Sequence, residues 1–201
     1  MKPKLELGAQ NISEYEEGSY TGEVAASMIK NLAKYVIVGH SERRRYFHET
    51  DAVDAKKMQL ALAHSLKPIL CVGEDKQARS DGHAKQVVLD QLNTSLAQVS
   101  SDDLKDVLIA YEPVWAIGSG NFANPSMVEE MVGLIRDTLA QRYGRMASMY
   151  VRVIYGGSVE SENAKTYLSL FGINGLLVGG ASLNYKKFAA IVQASAPDTR
   201  N

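Results

Sequence analysis

Short apolar runs alternate along this chain with longer segments of helical spacing, and this alternation restricts the fold more than any other feature. Two helical segments carry apolar residues three or four positions apart, at 88–99 and 128–139, and a last one spans 188–192. Strand, helix and strand in strict alternation indicate parallel βα units. The strands are predicted at 5–10, 35–38, 69–72, 107–111, 151–155 and 175–178.

Nearly every predicted strand ends in glycine or a polar residue. The ends are Gly8-Ala9-Gln10-Asn11, Gly39-His40-Ser41-Glu42, Cys71-Val72-Gly73-Glu74, Tyr111-Glu112-Pro113, Tyr155-Gly156-Gly157-Ser158 and Val178-Gly179-Gly180. Polar residues at the C-terminal ends of many parallel strands are typical of a (β/α) barrel, whereas an open doubly wound sheet gathers them at one switch point. Without a linker or low-complexity segment, the prediction is a single α/β barrel domain over 1–201.

Composition excludes several classes of protein. The 201 residues are 45% hydrophobic and 22% charged, with a formal net charge of -1, so no nucleic-acid or anionic-membrane surface is indicated. No apolar run approaches the ~18 residues of a membrane span, and residues 1–7 lack the apolar stretch of a signal peptide. A lone cysteine, Cys71, fits a reducing compartment. We therefore expect a soluble cytoplasmic protein with Cys71 buried.

Glu112 ends the predicted strand at 107–111 and precedes Pro113. The segment from Pro113 to about Ala123 has the composition of a hinged lid. Its backbone is restricted at the start, where Trp115 is the expected anchor, and is conformationally free at Gly118 and Gly120. A carboxylate beside such a segment is well placed to take a proton from a small substrate. A strand end with a solvated charge is the alternative reading.

His40 follows another strand and precedes Ser41-Glu42, where a helix is expected to start. The positive end of a helix dipole disfavours a charged imidazole, so His40 is expected to act as a neutral hydrogen-bond donor. A buried core histidine is the alternative. No set of His, Cys or carboxylate residues has metal-ligand spacing in a supporting context, so no metal is predicted.

Glycine pairs follow the last two predicted strands, at Gly156-Gly157-Ser158 and Gly179-Gly180. Backbone N–H groups at such positions bind phosphate, and in barrels the phosphate site commonly lies at these two loops. A tight turn explains either pair alone. Together with Gly118 in the lid, the two pairs favour phosphate.

The motifs together resemble those of triosephosphate isomerase. The segments 35–44 and 110–120 look like the two signatures of that family, and further similarities at 7–11, 20–23, 71–74, 155–159 and 177–182 follow in family order. The resemblance implies an isomerase of glycolysis and gluconeogenesis that interconverts dihydroxyacetone phosphate and glyceraldehyde 3-phosphate without a cofactor.

Carried onto this sequence, the resemblance implies a role for each matching residue. Glu112 would move the proton between substrate carbons, and His40 would polarise the carbonyl. Gly118, Ser158, Gly179 and Gly180 would bind the phosphate. Ser41, Glu42 and Tyr155 would be supporting residues of the site, and Ser41 would hold Glu112 in its resting position. The loop around Thr21 resembles the tip that family members insert into a partner subunit, which implies a homodimer.

The resemblance begins at the family's third strand, so the chain is expected to lack the first two βα units and to hold about six of eight. The Asn and Lys of the family's first strand have no counterpart here, and Glu42 would lose its lysine partner. Little isomerase activity is therefore expected from the chain as written. The alternatives are an inactive homologue that binds phosphate or another protein, and a different phosphosugar enzyme on the same barrel.

Overall fold

The structure, a computed structural model, describes residues 5–118 and 122–196. Five parallel strands form one sheet whose spatial order equals their order in the chain. They are β1 (Gly8–Ala9), β2 (Tyr35–Val38), β3 (Lys67–Val72), β4 (Leu108–Tyr111) and β5 (Arg152–Tyr155). Helices separate successive strands, as the alternation in the sequence predicts, and within the described ranges the sheet does not close into a ring.

Nine helices occur in the described residues. They are α1 (Ala26–Ile29), α2 (Ser41–Phe47), α3 (Asp51–Ala63), α4 (Lys76–Ser80), α5 (Ala84–Ser95), α6 (Pro125–Tyr143), α7 (Arg145–Ser148), α8 (Ala164–Leu168) and α9 (Tyr185–Ala194). Short 3-10 turns occupy Leu104–Asp106, Val114–Ala116 and Gly180–Leu183. No helix in these parts of the chain is both long enough and apolar enough to cross a membrane.

The start of α6 follows directly from its sequence. The Asn124 side chain accepts a hydrogen bond from the Ser126 N–H at 3.0 Å, and Pro125 occupies the first helical position, where its missing N–H costs nothing. Val128, Ile135 and Leu139 then fall on one buried face. The helix predicted from the apolar spacing is confirmed, because its cap and its apolar stripe specify the same segment.

The two faces of the sheet bury different side chains. Alternate strand residues, among them Val36, Leu70 and Ile109, pack into a large core beneath the helices. The opposite face carries a small cluster of Cys71, Ala110 and Ile154. Cys71 is fully buried, as expected.

The first and last strands are shorter than predicted. The strand expected at 5–10 pairs with β2 only at Gly8–Ala9, and Leu5 and Leu7 are exposed. The strand expected at 175–178 is reduced to one bridge, between Leu176 and Tyr155. Apolar composition alone predicted full strands, but both segments pair on one side only within the described ranges, so few backbone bonds extend them.

β3 and β4 approach very closely just beyond their last paired residues. The Glu112 N–H donates to the Val72 carbonyl at 2.8 Å, and a Cβ built on Gly73 would lie 1.7 Å from the Glu112 carbonyl oxygen. Only glycine fits beside this carbonyl. Gly73 therefore fixes how closely the backbone of Glu112 packs against β3.

We predict that Gly73→Ala lowers the free energy of unfolding by about 3 kcal/mol, because the added methyl group forces the strand ends apart. Gly133→Ala is the control, since Gly133 lies within α6 with open space around its Cβ position and alanine there should add about 0.5–1 kcal/mol of stability. Urea unfolding measures both variants. Equal changes in the free energy of unfolding for the two variants would contradict the close approach of Gly73 to the Glu112 carbonyl.

Candidate active site

Glu112 directly follows β4 and is 2% exposed. Its Oε2 accepts a hydrogen bond from the backbone N–H of Ser41 at 3.0 Å, and its Oε1 lies 3.0 Å from His40 Nε2. The structure thus brings Glu112, His40 and Ser41 together although the first is 71 positions from the last. It is the amide of Ser41, and not its hydroxyl, that holds the carboxylate.

The local backbone orients the His40 ring. His40 is the N-cap of α2, and its Nδ1 accepts a hydrogen bond from the Glu42 N–H at 3.3 Å. An Nδ1 that accepts cannot carry a proton, so in the neutral ring the proton is on Nε2. The protonated Nε2 is then the ring nitrogen that lies 3.0 Å from Glu112 Oε1.

The expectation that the helix start disfavours a charged His40 is wrong for this arrangement. The pKa of His40 is raised above its ordinary value, chiefly by its contact with Glu112 and against the opposing effect of burial. The Glu42 carboxylate, 4.0 Å from Nδ1, adds a smaller upward effect. A full negative charge at 3.0 Å outweighs the partial charges of a seven-residue helix.

Gly156 leaves room for the Glu112 side chain. A Cβ on Gly156 would lie 3.0 Å from Glu112 Cγ, so any larger residue would press on the carboxylate arm. The Gly156 N–H donates to the Tyr111 carbonyl at 2.8 Å, which commits it to the sheet. Gly156 therefore shapes the site, and its N–H is not available to a ligand.

Glu112 and His40 face one cavity of about 480 Å³. Of the predicted phosphate-binding residues, Gly118, Gly179 and Gly180 line this cavity. Ser158 is not part of its lining, and the Ser158 hydroxyl donates instead to the Ala116 carbonyl at 2.5 Å. Glu42 lies on the rim with 69% of its side chain exposed.

Several further residues of the cavity wall had no role predicted from the sequence, among them Asn11, Arg43 and Leu177. Asn11 stands in a recognised strand-end motif but received no role. Arg43 stands in the signature segment 35–44 but received no role, and its guanidinium forms an ion pair with Glu49 at 2.7 Å. Leu177 is apolar and gave no signal, because only packing turns it toward the cavity.

The predicted lid is attached at both ends. Trp115 Nε1 donates to Glu74 at 2.8 Å, and the Tyr167 hydroxyl donates to the Ala123 carbonyl at 2.8 Å. Glu74 is fully buried and also accepts from Arg79 Nε at 2.9 Å. Residues 119–121, including Gly120, lie outside the described ranges. Trp115 is therefore an anchor of the lid's first turn.

Tyr155, predicted to support the site, is fully buried beneath it. Its ring stacks on Tyr167, with centroids 4.0 Å apart, and its hydroxyl has no hydrogen-bond partner within 5–118 and 122–196. Burial raises the pKa of Tyr155, so the hydroxyl stays protonated. A Cβ on Gly157 would lie 2.2 Å from that oxygen, so this position also requires glycine.

Comparison with known proteins identifies the family. Its profile, described as triosephosphate isomerase, matches residues 1–195. The chain is 49% identical over 187 residues to the triosephosphate isomerase of Caldanaerobacter subterraneus subsp. tengcongensis, a match that covers 92% of this chain and 75% of the relative. For the enzyme of Thermus thermophilus the identity is 48%, with the same coverage, and for that of Chloroflexus aurantiacus it is 46% over 94% of this chain and 76% of the relative.

The chain belongs to the triosephosphate isomerase family. Membership confirms the predicted isomerase family and, with the parallel sheet, the predicted α/β barrel class, with the ring not closed among the residues described. The noncatalytic alternative is not favoured, since the relatives compared are named as isomerases. No group of three or more His, Cys, Asp or Glu residues in the described ranges is arranged to hold a metal ion.

We predict that Glu112→Gln lowers the pKa of His40, because the contact that raises it most is then with a neutral amide. The sign for stability follows: the raised pKa of His40 adds stability below the ordinary value of 6.5, and that stability is lost as pH rises through the folded pKa. NMR titration of the His40 ring measures the shift, with His83 as internal reference. An unchanged pKa would show that Glu112 does not control the ring.

Proposed function

We propose that this chain interconverts dihydroxyacetone phosphate and glyceraldehyde 3-phosphate by proton transfer. One observation carries the proposal: the Glu112 carboxylate and His40 Nε2 lie 3.0 Å apart and face one cavity together with glycines of three different loops. Family membership and the names of the relatives support the same reaction.

Glu112 is the proposed base. A carboxylate held by one amide N–H and one imidazole can leave both when substrate enters, because neither partner is a permanent counter-ion. It would take a proton from C1 of dihydroxyacetone phosphate and return it at C2, with an enediolate between the two steps. The Ser41 N–H would then mark the resting position of the carboxylate.

His40 is the proposed electrophile. The hydrogen bond from Glu42 N–H to Nδ1 keeps the donor proton on Nε2, which would point at the substrate oxygen that gains charge. Displacement of Glu112 toward the substrate removes the contact that raises the His40 pKa most. We therefore infer that His40 is neutral when the reaction takes place.

The phosphate would occupy the glycine side of the cavity. Gly179 and Gly180 have open space at their Cβ positions, and Gly180 begins a 3-10 turn whose first N–H groups lack acceptors within the turn. Such N–H groups suit a phosphate dianion. Gly118, with φ +64°, would contribute from the lid, and Ser158 would join only after its bond to Ala116 breaks.

We predict that Glu112→Gln slows isomerisation by about 10²–10⁴-fold, as the loss of a general base does, and that His40→Gln slows it by about 10²–10³-fold, as the loss of a transition-state donor does. The measurement is exchange of the substrate C1 proton with deuterated solvent, followed by NMR, since exchange reports enediolate formation even at low turnover. Asp81→Asn, at an exposed loop, is the control.

The proposal is supported if the parent chain exchanges the substrate C1 proton with solvent and Glu112→Gln abolishes this exchange. Two results would overturn it: triose phosphate binding without exchange in the parent chain, which fits a phosphate-binding homologue, or an unchanged rate in Glu112→Gln.

We further propose a cytoplasmic homodimer of a single domain, acting in glycolysis and gluconeogenesis. Thr21 lies at an exposed tip next to Gly22, whose φ is +94°, and the stacked rings of Tyr15 and Tyr20 brace the loop at 4.2 Å. A tip held rigid while still exposed suits insertion into a second copy, because little conformational entropy is lost on docking.

We predict that Thr21→Arg shifts the chain from dimer to monomer, because a charged side chain would be buried without a partner in the proposed interface. Sedimentation velocity over a range of concentrations measures the change, and Thr94→Arg, at an exposed position of α5, is the control. A parent chain that stays monomeric at all concentrations would contradict the dimer.

A further inference from the structure

Arg44 ties the first turn of α2 to the residue before His40. Its Nε donates to the Gly39 carbonyl at 2.7 Å. Gly39 has φ +71° and sets the direction in which the chain leaves β2 for α2. The peptide bond between Gly39 and His40 is thus held by the Arg44 side chain, which lies one helical turn further along the chain.

Asp54 holds Arg44 in place. This carboxylate, in α3, is 0% exposed, and its Oδ2 lies 2.7 Å from Arg44 Nη2. A Cβ on Gly39 would lie 2.8 Å from the same Oδ2 and 2.9 Å from Arg44 Nη2. Asp54, Arg44 and Gly39 therefore pack as one unit beside the peptide that leads into His40.

Stability alone does not account for Asp54. Arg44 already has a second carboxylate partner, the more exposed Asp51. Burial raises the pKa of Asp54 to about 6, above its ordinary 3.8. The folded state thus holds this proton more tightly than the unfolded state, so stability falls as pH rises from about 4 through about 6, and an ionised Asp54 costs stability at neutral pH.

We propose that Asp54 is a positioning residue for the His40–Glu112 pair. By keeping the Arg44 guanidinium against the Gly39 carbonyl, it fixes the peptide that orients the His40 ring and the Ser41 N–H. The catalytic consequence rests on the proposed function, whereas the positioning itself is tested without turnover. No substrate contact is involved, and Asp54 acts only through Arg44 and Gly39.

The test compares Asp54→Ala with Asp54→Asn. Alanine removes the oxygen that lies 2.7 Å from Arg44 Nη2, whereas asparagine keeps an oxygen there and loses only the charge. Since a misplacement of about 1 Å can cost up to about 100-fold in rate, we expect Asp54→Ala to lower kcat roughly tenfold with KM changed less than about twofold, and Asp54→Asn to recover most of the loss. The control is Asp106→Ala, which breaks an ion pair with Lys67 at the far end of β3.

Thermal unfolding at pH 7.5 and at pH 5 separates positioning from mere support of the fold. Asp54→Asn should unfold at an equal or higher temperature than the parent at pH 7.5, with a smaller difference at pH 5, because the parent carboxyl is then largely protonated. A lower unfolding temperature with unchanged kcat for Asp54→Asn and Asp54→Ala would assign Asp54 a structural role and overturn the proposal.

A readout independent of catalysis keeps the two proposals distinguishable. The ¹⁵N shifts of His40 Nδ1 and Nε2 report its tautomer and its contact with Glu112. We expect both shifts to move in Asp54→Ala, to return toward the parent values in Asp54→Asn and to stay unchanged in Asp106→Ala. Unmoved shifts in Asp54→Ala would overturn the positioning role even if the parent chain shows no exchange of triose phosphate protons.

Discussion

The burial of the Glu112 carboxylate is the constraint on which the rest of this structure depends. A charge that is 2% exposed must be met by donors, and here these are the Ser41 N–H and the His40 ring. Both donors belong to the start of α2, so β2 must end and α2 must begin beside the end of β4. Gly73 and Gly156 leave the room that this convergence needs.

A second buried carboxylate, Glu74, shows by contrast what Glu112 is suited to do. Glu74 accepts hydrogen bonds from Tyr111, Trp115 and Arg79, and the arginine gives it a permanent counter-ion. It is thereby fixed, and it fixes the first turn of the lid. Glu112 has no such cation against it in the described residues, so its contacts can be exchanged for contacts with a ligand. Glu74 is therefore an anchor, whereas the Glu112 carboxylate is free to change partners.

Local sequence signals predicted the elements whose ends are specified locally. Asn124 and Pro125 mark the start of α6, and the strand at 35–38 has the predicted bounds. The strand predicted at 5–10 fails because its extent depends on a neighbour on each side, which composition does not report. The predicted direction of the His40 pKa shift is wrong for a similar reason. The start of the nearby helix can be recognised in the sequence, but the stronger electrostatic effect comes from Glu112, a residue 72 positions away.

Asp54 shows the same division on a smaller scale. In the sequence Asp54 is one of several charged residues between 49 and 57, and nothing in the pattern assigns it a role. Folding places it at 0% exposure against Arg44 and Gly39. Asn11, Arg43 and Leu177 likewise lie in the cavity wall although the sequence assigned them no role.

By itself, the sequence determined the order of strands and helices, the polar strand ends and the residue types able to move a proton and bind a phosphate. These follow from periodicity and from chemistry within a few residues. Tertiary structure alone decided the 3.0 Å approach of Glu112 to His40, the direction of the His40 pKa and the burial of Asp54. Electrostatic energy depends on distance through space and on burial, and neither quantity is fixed until distant segments have packed.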